Sequence, residues 1–265
     1  MRKTILALNI GALGALGAPT LQAQEASGFA LEEVVVTAQK REENLQDIPV
    51  SAQAFNAEDM RVLGTDTLSE LIFAAPSLNA GGLGGSQQVM GLRGIIDFSR
   101  NPGVDPRMGI YIDEVYQGQG YSADQPLLGL ANVEILRGPQ GTLFGKNTVS
   151  GAINLVTKQP TEELEGELAA TYGNEGQMKG QAYVSGGLTA DLLGSLALSY
   201  DERDGFYNNT FLKKDTGDYD RTSSRGKLLW MATDALNFTL SADYTKRNST
   251  EPAGTEASLP AFDTR

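Results

Sequence analysis

The 265 residues contain no cysteine and no histidine. Without cysteine there can be no disulfide and no thiolate metal site. Without histidine there is no Ser-His-Asp triad, no Cys-His dyad, no zinc HExxH site and no imidazole to move protons near neutrality. Carboxylate and lysine chemistry stay open, but most common hydrolytic sites are gone. Basic residues are also in deficit, 21 Lys and Arg against 33 Asp and Glu, for a formal net charge of −12. Nucleic acid selects basic faces, so this balance excludes it as an expected partner. What the chain has in plenty is glycine, 31 residues, with many Asn, Asp, Ser and Thr, the composition of a turn-rich all-β chain. The length allows one large or two ordinary domains with a real core.

The N-terminus reads as a secretory signal over residues 1–23. Arg2 and Lys3 give a basic start, Thr4 to Ala18 an apolar run of small residues, and Leu21-Gln22-Ala23 a small residue at the cut. A transmembrane anchor is the competing reading, but the run is shorter than the ~20 residues a helical span needs. Close to the new terminus lies Glu32-Glu33-Val34-Val35-Val36-Thr37-Ala38. Three consecutive valines favour extended backbone. They could form a buried strand, or a tethered strand that adds to a partner's sheet edge. The charged Gln39 to Glu43 and the polar Glu25 to Gly28 on either side favour the tether.

The chain is organised around Val133 to Lys158, VEILRGPQGTLFGKNTVSGAINLVTK. A strand at Val133 to Leu136 runs into Arg137-Gly138-Pro139, then into a loop punctuated by Gly141, Gly145 and Gly151, then into a strand at Ala152 to Thr157. So many glycines mark backbone that needs unusual φ values or close approach. A phosphate loop would need Gly, four residues, then Gly-Lys-Ser/Thr. Here Gly145-Lys146 is followed by Asn147, the leading position is Gln140, and no helical pattern follows. Gly82-Leu83-Gly84 fails as a dinucleotide fingerprint, because Gln87 holds the third glycine's place and no strand leads into it.

This 26-residue stretch resembles the end of the plug domain of TonB-dependent outer-membrane receptors, and EEVVVTAQKREENLQDIPVSAQAF resembles the start of such receptors. The resemblance implies an outer-membrane β-barrel with an N-terminal α+β plug domain, of which this chain carries the plug and about five antiparallel barrel strands. It implies a signal peptide at 1–23, a flexible N-terminus at 24–45, a plug at 46–160 and the first strands of an incomplete barrel at 161–265. Residues Glu32, Glu33, Val34, Val35, Val36, Thr37 and Ala38 would be the TonB box. Arg93 and Arg137 stand where family plugs carry arginines that pair with barrel glutamates; a planar guanidinium suits such a bidentate pair. Read without the resemblance, Arg93 is a lone cation in an apolar strand, equally at home as a rim charge. Gly138, Pro139, Gly141, Gly145 and Gly151 would form the plug loop.

Smaller signals agree. Val50 to Phe55 reads as a strand, and Asn56 caps a short helix with Glu58 and Asp59 in its first turn. Thr67-Leu68-Ser69-Glu70 is a capping box for a second helix that Pro76 ends. MGIYIDEVY at Met108 to Tyr116 reads as a hairpin turning at Asp113-Glu114, where the family usually shows Asp-Gly. Ala123 to Ala131 reads as a connection. After Pro160, strands are expected at Gly166 to Tyr172, Gln181 to Ser185, Ser195 to Tyr200, Gly226 to Met231 and Asn237 to Tyr244. Short turns and a long polar loop (Asp204 to Arg221) join them, with Tyr172, Tyr200, Trp230 and Tyr244 near strand ends where aromatic girdles belong. A soluble sheet would show the same alternation, so one strand proves little, but five strands joined in this way fit a membrane barrel better.

Family barrels have 22 strands, so the resemblance implies the N-terminal piece of a longer receptor. The implied activity is uptake of a scarce ligand such as a ferric siderophore, with TonB and its inner-membrane energising complex as partner. The implied setting is outer-membrane lipid, with no cofactor, no resident metal and no catalysis. A soluble, plug-like periplasmic binding module is the alternative. A carboxylate glycosidase using Asp201 with Glu202, or Asp113 with Glu114, is a third reading. Neighbours on a regular strand point to opposite faces and could not flank one bond.

Overall fold

The computed structural model describes residues 35–36, 41, 43–46, 48–65, 67–82, 88–96, 104–118, 126–209, 213–233 and 235–250. The expected signal peptide lies outside them, as do Glu32, Glu33, Val34, Thr37 and Ala38.

The first strands are β1 (Val35–Val36), β2 (Glu43–Asn44) and β3 (Ser51–Asn56). Helix α1 (Ala57–Leu63) starts where Asn56 predicts. The Asn56 Oδ1 accepts from Asp59 N at 2.7 Å, and the Asp59 carboxylate accepts in return from Asn56 N at 3.0 Å. Two of the helix's otherwise orphaned donor groups are thereby satisfied. Gly64 ends it with φ +64. The second predicted helix winds as a 3₁₀ helix, Leu68–Phe73, in which the Glu70 carboxylate accepts from Thr67 N at 3.1 Å. Strands β4 (Leu78–Gly82), β5 (Gln88–Leu92) and β6 (Ile95–Ile96) make a small antiparallel sheet. Arg93 is therefore not within a strand, as its apolar flanks suggest. It turns the chain from β5 to β6 at φ +54, with Gly94 at φ +79.

The main plug sheet adds β7 (Met108–Ile112), β8 (Val115–Tyr116), β9 (Leu130–Arg137) and β10 (Gly151–Thr157), in the order β3-β9-β10-β7-β8. Strand β10 runs antiparallel to β9 and parallel to β7. Between β9 and β10 the glycine loop holds one short helix, α2 (Gly141–Phe144), which the sequence pattern does not announce. Val133, Ile135 and Ile153 are fully buried between this sheet and the helices. Each such side chain contributes ~1.5–3 kcal/mol of burial. Gly151 is obligatory for a plain reason: a Cβ there would lie 2.2 Å from the Leu136 carbonyl oxygen and 2.5 Å from Leu92 Cδ1.

After residue 160 come β11 (Glu165–Tyr172), β12 (Met178–Thr189), β13 (Leu192–Arg203), a loop hairpin of β14 (Tyr207–Asn209) and β15 (Lys214–Thr216), then β16 (Tyr219–Thr233) and β17 (Leu236–Ser249). All five expected wall strands form, each longer than its apolar alternation shows. They pair antiparallel as β11-β12-β13-β16-β17, an open sheet and not a closed barrel among the described residues. Its two faces agree with the barrel reading. Leu168, Leu198, Trp230 and Leu240 are exposed on the outward face, whereas Lys179, Asp201, Arg221 and Lys227 are buried on the inward one. A soluble sheet buries its apolar face; this one does the reverse, as a wall facing lipid must. Trp230 and Phe238 stack at one end, centroids 5.6 Å apart. Tyr200 lies eight residues along β13 from Leu192, the cross-strand partner of Trp230. That is about 26 Å at ~3.3 Å per residue, comparable to the ~25 Å apolar band of membrane barrels.

Candidate functional site

Plug and wall meet along a seam of polar contacts. Asp113 opens the hairpin turn between β7 and β8 at φ +45, and Glu114 follows at φ +68, so both turn residues are left-handed without a glycine. The Asp113 carboxylate accepts from Thr157 N at 2.8 Å, from Thr157 Oγ1 at 2.6 Å and from Lys227 Nζ on β16 at 3.0 Å. Arg225, also on β16, donates to the Leu128 carbonyl at 2.7 Å and pairs with Asp243. The Ser185 hydroxyl accepts from Thr161 N at 2.8 Å. Gly129, at φ +60, passes so close to the wall that a Cβ would sit 3.3 Å from that of Ala197. Beside these contacts a cavity of about 460 Å³ opens, lined by Met60, Gly64, Leu127, Lys158, Glu167 and Lys179 among others. Lys158 leans over the Tyr183 ring there and pairs with Glu167.

The plug loop is built by its glycines. Gly138 takes φ +93 and donates to the Ser150 carbonyl at 3.0 Å, Gln140 N donates to the Thr148 carbonyl, and the Thr148 hydroxyl donates to the Gly145 carbonyl. Lys146 reaches Asp105 at 3.1 Å, and the Lys146 and Asn147 side chains hold the Asp105 carboxyl below its usual range. Arg93 and Arg137 converge on this loop: a Cβ on Gly138 would lie 3.7 Å from the Arg93 guanidinium. Arg137 donates to Ser77 Oγ at 2.9 Å and to Gln53 Oε1. These contacts of Arg137 stay inside the plug.

Of the valine segment, Val35 and Val36 fall among the described residues, pairing antiparallel with Asn44 and Glu43. Val36 is only 1% exposed and joins Ile48, Tyr111, Leu136, Phe144 and Ala152 in a second small core. The tether reading leads one to expect exposure; Val36 is seated on the plug instead. Tyr111 ties that core to the loop, donating to the Phe144 carbonyl at 2.5 Å, and burial pushes its phenol pKa up, with Tyr116 adding to the effect.

Several of these residues escape sequence reading. Glu134, fully buried in β9 and accepting from Asn154, looks like an ordinary strand charge in sequence. Lys227 and Arg225 are visible as the polar beat of an alternating strand, but nothing local names Asp113 or Leu128 as partners. The carboxylate-pair reading of Asp201 with Glu202 finds no support: Asp201 faces inward to Arg221 at 3.0 Å, while Glu202 faces outward to the Tyr200 hydroxyl. Among the described residues no cluster of three metal-ligating side chains occurs.

A mixed-sheet plug seated on the polar face of a strand wall, whose apolar face points outward, defines a plugged outer-membrane barrel. Comparison with known proteins agrees. Residues 44–152 match the family model of the TonB-dependent receptor plug domain. The pesticin receptor of Yersinia pestis is 30% identical over 197 residues, covering 73% of this chain and 29% of that protein. The vitamin B12 transporter BtuB of Photobacterium profundum is 27% identical over 208 residues, 78% of this chain and 33% of that one. The crystal structure of the ferric yersiniabactin uptake receptor FyuA from Yersinia pestis superposes with a TM-score of 0.71 at 27% identity, over 76% of this chain and 32% of that one. The chain thus spans about a third of the length of these relatives. Residues 44–152 belong to the plug domain family of the TonB-dependent receptors, and the wall strands that follow are similar to the first strands of those receptors.

Proposed function

We propose that the chain is the plug and entry wall of an outer-membrane receptor that takes up a scarce ligand, an iron–siderophore complex, with energy delivered through TonB. The observation that carries the reading is the inverted wall, polar and plug-facing inside, apolar and exposed outside. A soluble plug-like binding module would have to leave Leu168, Leu198, Trp230 and Leu240 in water, and a patch of that kind marks a membrane or partner surface. Relatives named for yersiniabactin, pyoverdine and vitamin B12 support a large chelate as the ligand.

Residues Glu32 to Ala38 are the segment offered to TonB, by strand addition to a sheet edge. Val36 has to leave its seat, and β1 its pairing with β2, before that edge is free. Arg93 and Arg137 hold the plug loop in position, Arg137 through Ser77 and Gln53 of the plug itself. The test is binding of a peptide spanning Glu32 to Gln39 to the C-terminal domain of TonB, followed by calorimetry. Val35→Pro removes a backbone donor and should abolish binding. A wild-type peptide that shows no binding would sink the TonB assignment.

A further inference from the structure

The outward face of the wall is not evenly filled. Cross-strand register sets Ala170, Gly180, Tyr200, Thr222 and Lys246 in one row. The next row towards Trp230 holds Leu168, Ala182, Leu198, Ser224 and Tyr244. Along the strands, β12 and β16 therefore carry small side chains, Gly180 with Ala182 and Thr222 with Ser224. Exposed Leu198 and Tyr200 on β13 form a ridge between them, and exposed Leu168 and Tyr244 stand to either side. A groove of about 770 Å³ lies here, lined by Leu168, Ala170, Gly180, Ala182, Leu198 and Ser224 among others. Gly180 sits inside its strand, and no contact within the protein explains it. Its φ is not left-handed, and a Cβ placed there would meet no atom within 4 Å. Gly226, the next outward residue beyond Ser224 on β16, is as open: the nearest atom to a Cβ there would be the Ser195 carbonyl oxygen at 4.0 Å. A glycine inside a strand weakens it, and such glycines mark places where a ligand or another backbone comes close. Here that approach comes from outside the wall.

We propose that the groove holds the acyl chains of an anionic, phosphate-bearing membrane lipid, straddling the Leu198–Tyr200 ridge with the phosphate at Lys246. The proposal rests on the lipid-facing reading of the wall and goes beyond it to one fixed lipid. The groove is continuous with the apolar outward face, and its small residues run along the strands, as an extended apolar chain would lie. The two small-residue columns are about 10 Å apart, two strand spacings, so each can take one chain. At the loop end, the row of Gly180 brings up Tyr200 and the exposed ammonium of Lys246, and a lysine beside anionic lipid is attractive. The carboxylates one row nearer the loops already have partners, Glu202 the Tyr200 hydroxyl and Asp220 the Asn248 amide. A second copy of the chain fits this face less well. Sharing the membrane normal, it would set Glu202 and Asp220 against their own counterparts at one height, where like charges repel.

The experiment takes the full chain in dodecyl maltoside micelles, adds phosphatidylglycerol or phosphatidylcholine with identical acyl chains, and weighs the complexes by native mass spectrometry. The expected result is a phosphatidylglycerol kept on the chain under conditions that strip phosphatidylcholine. Lys246→Gln should reduce that preference about fivefold, the effect of one lysine beside anionic lipid. Gly180→Val should raise the urea midpoint, because a β-branched residue suits a strand and meets open space. The same change should weaken retention of both lipids at least about fivefold, because it overfills the groove. Undiminished retention in Gly180→Val refutes the groove; if that variant folds poorly, Ala182→Leu decides in the same way. An unaltered preference in Lys246→Gln refutes the phosphate position. A mass of two chains without lipid makes a second copy the occupant and overturns the proposal. A chain that keeps no lipid in micelles yet enters lipid vesicles loses the groove alone, whereas one that stays out of vesicles loses the membrane reading as well.

Discussion

The contact between Asp113 and Lys227 is where plug and wall can be tested against each other. Lys227 is 3% exposed on its side chain and Asp113 27%, with 3.0 Å between nitrogen and oxygen. Asp113→Asn is the cleanest perturbation. Asparagine tolerates the left-handed backbone at φ +45 and can still accept from Thr157, whereas alanine would add its own strain there. What the substitution removes is the charge facing a buried ammonium. Breaking a fully buried pair costs ~3–5 kcal/mol. The partial exposure of Asp113 lets water screen Lys227, which brings the expectation down to about 2 kcal/mol. Lys227→Met fills a similar volume without charge, so the double variant should recover much of the loss. Urea unfolding of the chain in micelles, with protease resistance of the plug as a second probe, gives the cycle. A coupling energy of at least ~1 kcal/mol is expected for groups in direct contact. Additive single effects, or an Asp113→Asn loss below ~0.5 kcal/mol, would refute the idea that this pair holds the plug to the wall.

Leu196 lies midway along β13 between the level of Trp230 and that of Tyr200, on the outward face. Leu196→Arg should destabilise the chain in lipid vesicles by ~2–4 kcal/mol and change little in water-exposed conditions. A neutral result in vesicles would mean that this face does not meet lipid. The Tyr111 phenol, raised by burial, contributes stability that is intact below the ordinary phenol value, about 10, and is lost as pH climbs through its higher folded value. The plug should therefore loosen in strong alkali as this phenol ionises, read by phenolate absorbance. Tyr111→Phe should remove that step and, by losing the bond to the Phe144 carbonyl, lower stability by about 1 kcal/mol at neutral pH.

How much of this was legible in the sequence depends on the range over which each signal acts. Local signals read well. Asn56 with Asp59 and Thr67 with Glu70 are caps made within four residues, and both form. The hairpin at Asp113-Glu114 forms despite lacking glycine. The five wall strands were visible as alternation, though their true ends were not, because near the loops the outward beat turns polar, as at Glu202, Asp220 and Asn248. Arg93 was misread because a two-residue turn between two apolar strands looks like one strand until Gly94 is seen to need φ +79. The tether reading of the valines used flanking charge, while the burial of Val36 depends on Tyr111, Leu136 and Phe144, which are distant in sequence. The candidate site fares similarly: its glycines and arginines announced themselves, and the partners across the seam did not.

The turn at Asp113-Glu114 joins these levels. Two non-glycine residues in the left-handed region are each disfavoured by ~1–2 kcal/mol relative to ordinary backbone, less for Asp, whose short side chain bonds locally. A freestanding hairpin would favour Asn-Gly or Asp-Gly at that corner. Here the first position has another task. Its carboxylate holds Thr157 at the end of the last plug strand and reaches Lys227 on the wall, so the corner, the plug's final strand and the barrel are fixed by one side chain. A strained corner with two outside partners stays put only while those partners are in place. The register between plug and wall is thus fixed at a point where the plug itself is least relaxed, and any motion of the plug away from the wall would begin by releasing that strain along with the ion pair.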